Sequence, residues 1–248
     1  GETASFKVQS FSTFRVEIYR VGYYGGDGAR MVASARGKAS AQSACQTGDD
    51  GIYDCGNWRT NATWRVPASA VSGVYIGKLV RDDTSEASHV VFVVRGGTSD
   101  IVVQTSDTTW HAYNEYGGGS LYRGAQTPSG RAAKVSYNRP FIWRNSGSYA
   151  GVSNFFNAEY PLIRWLEANG YDVTYTSGVD THRRGEVLKN HRVFVSSGHD
   201  EYWSGQQRAN VEAARDAGVN LAFFSGNEVF WKTRFEASNR TLVCYKET

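Results

Sequence analysis

No stretch of the sequence approaches the roughly 18 consecutive apolar residues that a membrane-spanning helix needs, so nothing in it reads as a span. Charge of one sign is also missing. Lys and Arg number 27 against 24 Asp and Glu, the formal net charge is +3, and the basic residues are scattered, which excludes a nucleic-acid footprint. Proline (4) and methionine (1) are scarce, whereas glycine (27) and aromatics (14%) are plentiful, a balance that implies many tight turns and close backbone approaches. With 40% hydrophobic and 21% charged residues, the 248-residue chain fits a soluble globular protein of one large or two small domains. Gly1-Glu2-Thr3 enters a strand-like run with neither an initiator methionine nor a signal segment, and Thr248 closely follows an apolar stretch, so the sequence reads as a piece of a longer protein.

Cysteines are few, at three. Cys45 and Cys55 flank a polar loop, Gln46 to Asp54, and a disulfide closing it is the natural reading for a secreted protein; two free thiols are the alternative. Cys244 lies in an apolar run and reads as a buried thiol.

The first hundred residues alternate with period two at Phe6–Gln9, Phe14–Val21, Thr63–Val66, Val74–Val80 and His89–Val94, and none of their ten-residue stretches carries a helical stripe. That pattern predicts an antiparallel β-sandwich over residues 1–97. The rhythm changes at Arg95–Asp100, and residues 98–248 read as an α/β domain. Ile101–Gln104 predicts a strand. A helix follows with Asn157 as its N-cap, Leu162, Ile163 and Leu166 as its stripe and Asn169-Gly170 as its stop. Tyr171–Thr176, Arg192–Ser196 and Asn220–Ser225 predict further strands, and Ser204 with Gln207 caps a helix running to Gly218. Strand, helix and strand at this spacing form a βαβ unit, whose ligands lie beyond the carboxyl ends of the strands.

Three strand exits then share one sheet edge. They carry Asp107, His111 and Tyr113; His199, Asp200 and Glu201; and Asn227 with Glu228. Taken singly, a tyrosine is usually packing, and a carboxylate at a helix start is usually stabilised by the dipole; their convergence favours chemistry. A nucleophile elbow is missing, since His199 stands where Ser or Cys would, and Gly117-Gly118-Gly119 lacks the Lys-Ser/Thr of a phosphate loop. What remains is carboxylate chemistry with or without a metal. His and acids suit zinc, and phenolates with a carboxylate suit a harder ion such as ferric iron.

The runs WHAYNEYGGGSLY, GHDEYW and FFSGNEVFW resemble the large subunit of N,N-dimethylformamidase and its secreted bacterial relatives, and IYRVGYYGGDGAR, GVYIGKLVRDD and HVVFVVR resemble the sandwich domain of those relatives. The resemblance implies a class I glutamine amidotransferase-like α/β fold. It also implies a mononuclear Fe(III) held by two tyrosines and a glutamate, with a histidine and an asparagine beside it. Carried over by motif, the ligands fall on Tyr113, Tyr122 and Glu201, with Tyr137 as the rival second tyrosine. His199 and Asn227 fall beside them, and Glu228 joins these as a candidate catalytic residue. The segment between the two tyrosines is shorter here than in the amidase, and the chain stops before a further acidic residue that the amidase uses.

The implied function is metal-dependent hydrolysis of the C–N bond of a small amide by a secreted protein, with a homo-oligomer compatible with it. The alternative is a non-catalytic extracellular module whose surface aromatics, Trp58, Trp64 and Trp143, dock a glycan or a protein. A glycosidase-type use of Asp200 and Glu201 is disfavoured, because adjacent side chains on one loop point apart.

Overall fold

In the computed structural model of the chain, the described residues are 1–48, 51–124, 130–142 and 154–246. The strand Phe14–Val21 is central to a four-stranded antiparallel sheet ordered Ala29–Gly37, Phe14–Val21, Gly73–Arg81, Ala87–Val94. Its alternation sends Phe14, Val16 and Ile18 inward to almost complete burial. A two-stranded sheet of Thr3–Phe6 and Ala62–Arg65 closes over that face, and Phe6, Ala62, Trp64 and Tyr75 complete the core. The arrangement is sandwich-like. Ala29–Gly37 lacks a strong apolar alternation because Ala33, Ala35 and Gly37 take its inward positions; a Cβ on Gly37 would lie 2.1 Å from the Phe14 ring. Trp64 corrects the expectation of a surface aromatic. It is 9% exposed, because it shares the inward face of its strand with Ala62 and packs on Tyr75 and Phe92. Trp58 is half-buried, its indole N–H donating to Ser43 O, and Trp143 lies outside the described residues.

The second half is built on a parallel sheet ordered Val173–Ser177, Ile101–Thr105, Val193–Gly198, Asn220–Ser225. Both faces of its inner strands are covered, whereas the edge strand Asn220–Ser225 leaves Phe223 and Phe224 exposed. Val103, Tyr175 and Val195 meet Ile163 and Leu166 on one side, and Val102 and Phe194 meet Leu188, Val211 and Ala214 on the other. The first strand is internal, with the second on one side of it and the third on the other. The order in which the chain adds strands therefore reverses between Ile101–Thr105 and Val193–Gly198, which opens a crevice where ligands bind in such folds.

The helix before the second strand differs from its expected start. Asn154, not Asn157, is the cap and accepts from the Phe156 amide; a single turn, Phe155–Ala158, precedes the helix Tyr160–Ala168. Pro161, with no N–H to give, sits in the first turn of that second helix, so the chain restarts rather than continues there. Gly170 ends it at φ +72°, with the Tyr171 amide returning to Leu166 O. Ser204 caps Gly205–Asp216 through the Gln207 amide, as its spacing predicts.

The two halves share one apolar core, since Val21, Val74 and Val91 of the sandwich pack with Ile163 and Leu166. Arg20 reaches Glu167 at 2.7 and 2.9 Å across the same seam. Cys45 and Cys55 form the disulfide, and Cys244 is buried and free. Among the described residues no helix is long and apolar enough to cross a membrane.

Candidate functional site

Two strand exits build the site. After Ile101–Thr105 the chain turns at once into the helix Asp107–Tyr113, whose last residue is Tyr113. A glycine-rich loop then doubles back, and the Leu121 amide bonds to Ala112 O at 2.9 Å. Leu121 is fully buried against Ala112, Val135 and Leu242, so the next residue, Tyr122, is held with its ring 4.2 Å from that of Tyr113.

The other exit leaves Val193–Gly198 through Gly198, at φ +84°, where a Cβ would lie 2.4 Å from the Glu159 side chain. Only glycine fits that turn. In the extended run that follows, His199 and Glu201 share one side. Asp200 turns to the other, where Gln104 Nε2 (2.6 Å) and Ser196 Oγ (2.7 Å) donate to its carboxylate.

Tyr113 donates its phenolic hydrogen to Glu201 Oε2 at 3.0 Å, and Tyr122 OH lies 2.9 Å from both Glu201 oxygens. Tyr202 in turn donates to Tyr122 OH at 2.6 Å. Glu201 is 4% exposed, and its amide donates to Thr109 Oγ1. His199 Nε2 stands 3.6 Å from Glu201 Oε2, while its Nδ1 is buried without a hydrogen-bond partner among the described residues. Burial lifts the Tyr113 phenol above its ordinary range and pushes Tyr122 up to about 12; the hydrogen bond between them raises Tyr113 further. Burial pulls the His199 imidazole down from its ordinary value, and Glu201 opposes that pull.

No motif or spacing marks Lys246. Its Nζ lies 3.3 Å from the centre of the Tyr122 ring and about 5 Å from those of Trp231 and Tyr202, a cation–π setting. Burial lowers it to about 8, against the pull of Glu201. Tyr202 was legible only as the neighbour of Glu201 in GHDEYW.

Tyr113, Tyr122, Glu201 and His199 thus come together, and other candidates stand apart. Tyr137 donates to Asp107 Oδ2 at 2.9 Å and stacks on His111, away from Glu201. Asn227 is exposed at φ +51°, and its side chain makes no hydrogen bond among the described residues. Glu228 turns toward Ser196 Oγ, 3.3 Å away, on the Asp200 side.

Among the described residues no three His, Cys, Asp or Glu side chains gather at metal-ligand spacing, so a zinc set of that kind is not assembled there. The donor set that does gather is two phenols and a carboxylate. Each phenol oxygen lies within hydrogen-bond reach of Glu201, with both phenol protons aimed at that one buried carboxylate, and this set fits a hard trivalent ion that would replace those protons.

Residues 15–248 match the family described as "N,N-dimethylformamidase beta subunit-like, C-terminal", and the chain belongs to that family. No curated protein matches it.

Proposed function

We propose that the chain is a metal-dependent amidohydrolase of the N,N-dimethylformamidase type, acting on the C–N bond of a small amide, with Tyr113, Tyr122 and Glu201 as the ligands of a single ferric ion. One observation carries the reading: two phenol oxygens converge on the two oxygens of one buried carboxylate, all within 3.0 Å. We also read the doubly covered parallel sheet as glutamine amidotransferase-like and the disulfide as that of a secreted protein.

A ferric ion held by Tyr113, Tyr122 and Glu201 would supply Lewis acidity for the amide carbonyl and for a water. His199, held below its ordinary value by burial and with Nδ1 unpartnered among the described residues, accepts the proton that the attacking water gives up. Lys246, lowered to about 8, returns a proton to the amine nitrogen as the C–N bond breaks, so that water and amide become acid and amine. Asn227, exposed on the neighbouring exit and apart from the cluster in the metal-free chain, would have to turn inward to orient the carbonyl. Glu228 supports that loop from beneath through Ser196.

The test is elemental analysis and a visible spectrum of the purified protein, with amine release from small formamides measured alongside. Tyrosinate-to-iron charge transfer gives a purple or brown colour, and Glu201→Gln loses both colour and turnover. A folded protein that remains colourless after exposure to ferric ion overturns the reading.

A further inference from the structure

The glycine loop that carries Tyr122 has little of its own to pack with. Gly117 and Gly118 lie at φ +85° and +89°, and Gly119 follows them. A loop of this composition has many alternatives to its folded shape, so an outside surface has to hold it. That surface comes from the other half of the chain. Gln46–Thr47 and Tyr53–Asp54 pair as a short hairpin, closed by the Cys45–Cys55 disulfide.

The Tyr53 ring lies directly under Gly117, where a Cβ would come within 2.2 Å of it, and meets Tyr116 edge-on at 5.8 Å. Gly119 packs on the carbonyl of Gly51, 3.1 Å from where its Cβ would be. Asp54 Oδ2 accepts from Ser136 Oγ (2.6 Å) and Asn138 Nδ2 (3.2 Å), and the Cys55 amide donates to Asn138 O (2.9 Å). The next residue, Arg139, is buried and donates to the carbonyls of His111 (2.9 Å), Tyr116 (3.0 Å) and Gly119 (2.6 Å). Hairpin, strand Lys134–Ser136 and arginine thus form one continuous hold on the segment between the two tyrosines.

We propose that the disulfide hairpin is a brace for the metal-site loop and that Tyr53 is a positioning residue for Tyr122. The metal half of this inference rests on the proposed ligand set; the brace does not. Cys45 is partly exposed and Cys55 is buried, so a dithiol attacks at Cys45. Two electrons and two protons pass to the sulfurs, the dithiol becomes a disulfide, and the hairpin loses its closure.

The experiment compares Tyr53→Ala, Tyr53→Phe and Cys45→Ser/Cys55→Ser with the unaltered chain. Amide hydrogen exchange is followed over 116–122 in metal-free protein, and the ferric band and iron affinity are read separately. Tyr53→Ala and the cysteine pair are expected to speed exchange there about tenfold, leaving the strand Phe14–Val21 unchanged, to weaken iron binding about tenfold and to shift the band. Tyr53→Phe is expected to match the unaltered chain, because the Tyr53 hydroxyl makes no hydrogen bond among the described residues. Unchanged exchange in Tyr53→Ala overturns the brace. Faster exchange with an unmoved band and affinity overturns the positioning of Tyr122. If the unaltered chain takes up no ferric ion, the proposed function falls, and the exchange measurement still decides the brace.

Discussion

Replacing Tyr122 by Phe separates metal binding from folding. In the metal-free protein its oxygen gives one hydrogen to Glu201 (2.9 Å) and accepts one from Tyr202 (2.6 Å). The residue is 39% exposed, so water takes over part of what is lost. The cost is then that of an ordinary hydrogen bond, ~0.5–1.5 kcal/mol, which lowers Tm by roughly 1–6 °C in a chain of this size. The effect on a ferric ion is larger, because one of three anionic oxygens disappears. Affinity falls by more than the ~10–100-fold that loss of a merely supporting group costs. Competition against a chelator, followed by the visible band, reads the affinity, and thermal unfolding reads the stability. Tyr137→Phe is the matched control. It takes a donor from the buried Asp107 carboxylate and costs ~1–3 kcal/mol, yet leaves the band in place. If Tyr137→Phe loses iron and Tyr122→Phe retains it, the second ligand is Tyr137. If both retain iron and band, the cluster around Glu201 is not the metal site.

Iron uptake is expected to strengthen as pH rises, because both phenols hold their protons above the ordinary tyrosine range and the ion must displace them; proton release in weak buffer checks this, and uptake independent of pH contradicts it. Glu167→Ala leaves Arg20 buried without its carboxylate and costs ~3–5 kcal/mol, whereas Arg20→Met combined with Glu167→Leu recovers much of the loss; urea melts distinguish the two, and a single-variant cost below ~0.5 kcal/mol contradicts the seam's role. Asp107 is held up at about 6, chiefly by burial. Its folded-state value lies above the unfolded one, so its contribution to stability is full below pH ~4 and is lost as pH rises through 6, by on the order of 3 kcal/mol. Asp107→Asn removes that decline, which unfolding curves at pH 4 and pH 8 measure.

Period and punctuation were enough to read much of this molecule. A parallel sheet forces its strand exits onto one edge, so Tyr113, His199 and Glu201 could be grouped without coordinates. Tyr122 was different: nothing in the spacing says that a loop through three glycines doubles back to Ala112, and only the family motif singled it out. The strand Ala29–Gly37 was silent because small side chains on its inner face make room for Phe14. Asn157 looked like a cap because Asn is common there, but the proline four residues on moves the helix start, and Asn154 serves the preceding turn. Lys246 and Tyr53 reach the site region from distant parts of the chain, and only tertiary packing brings them there.

Spacing alone also made the acids of the three exits look alike, and their side chains divide them. Asp107 accepts from the Gly178 amide and Asp200 from Gln104 and Ser196, while Glu159, which comes from between two helices and not from an exit, accepts from the Ser106 amide and hydroxyl. Each ties a strand end to a neighbouring element. Burial pushes all three carboxyls upward, and the donors that hold them make them hydrogen-bonded struts. Glu201 is the exception: Asp107 takes one phenol, Tyr137, beside a backbone amide, whereas the Glu201 oxygens meet two phenols, and a histidine and a lysine stand near it. A phenol proton can give way to a metal ion, while a backbone amide proton cannot. That difference in donors, more than the abundance of acids at this edge, picks out Glu201 as the carboxylate available for a cation.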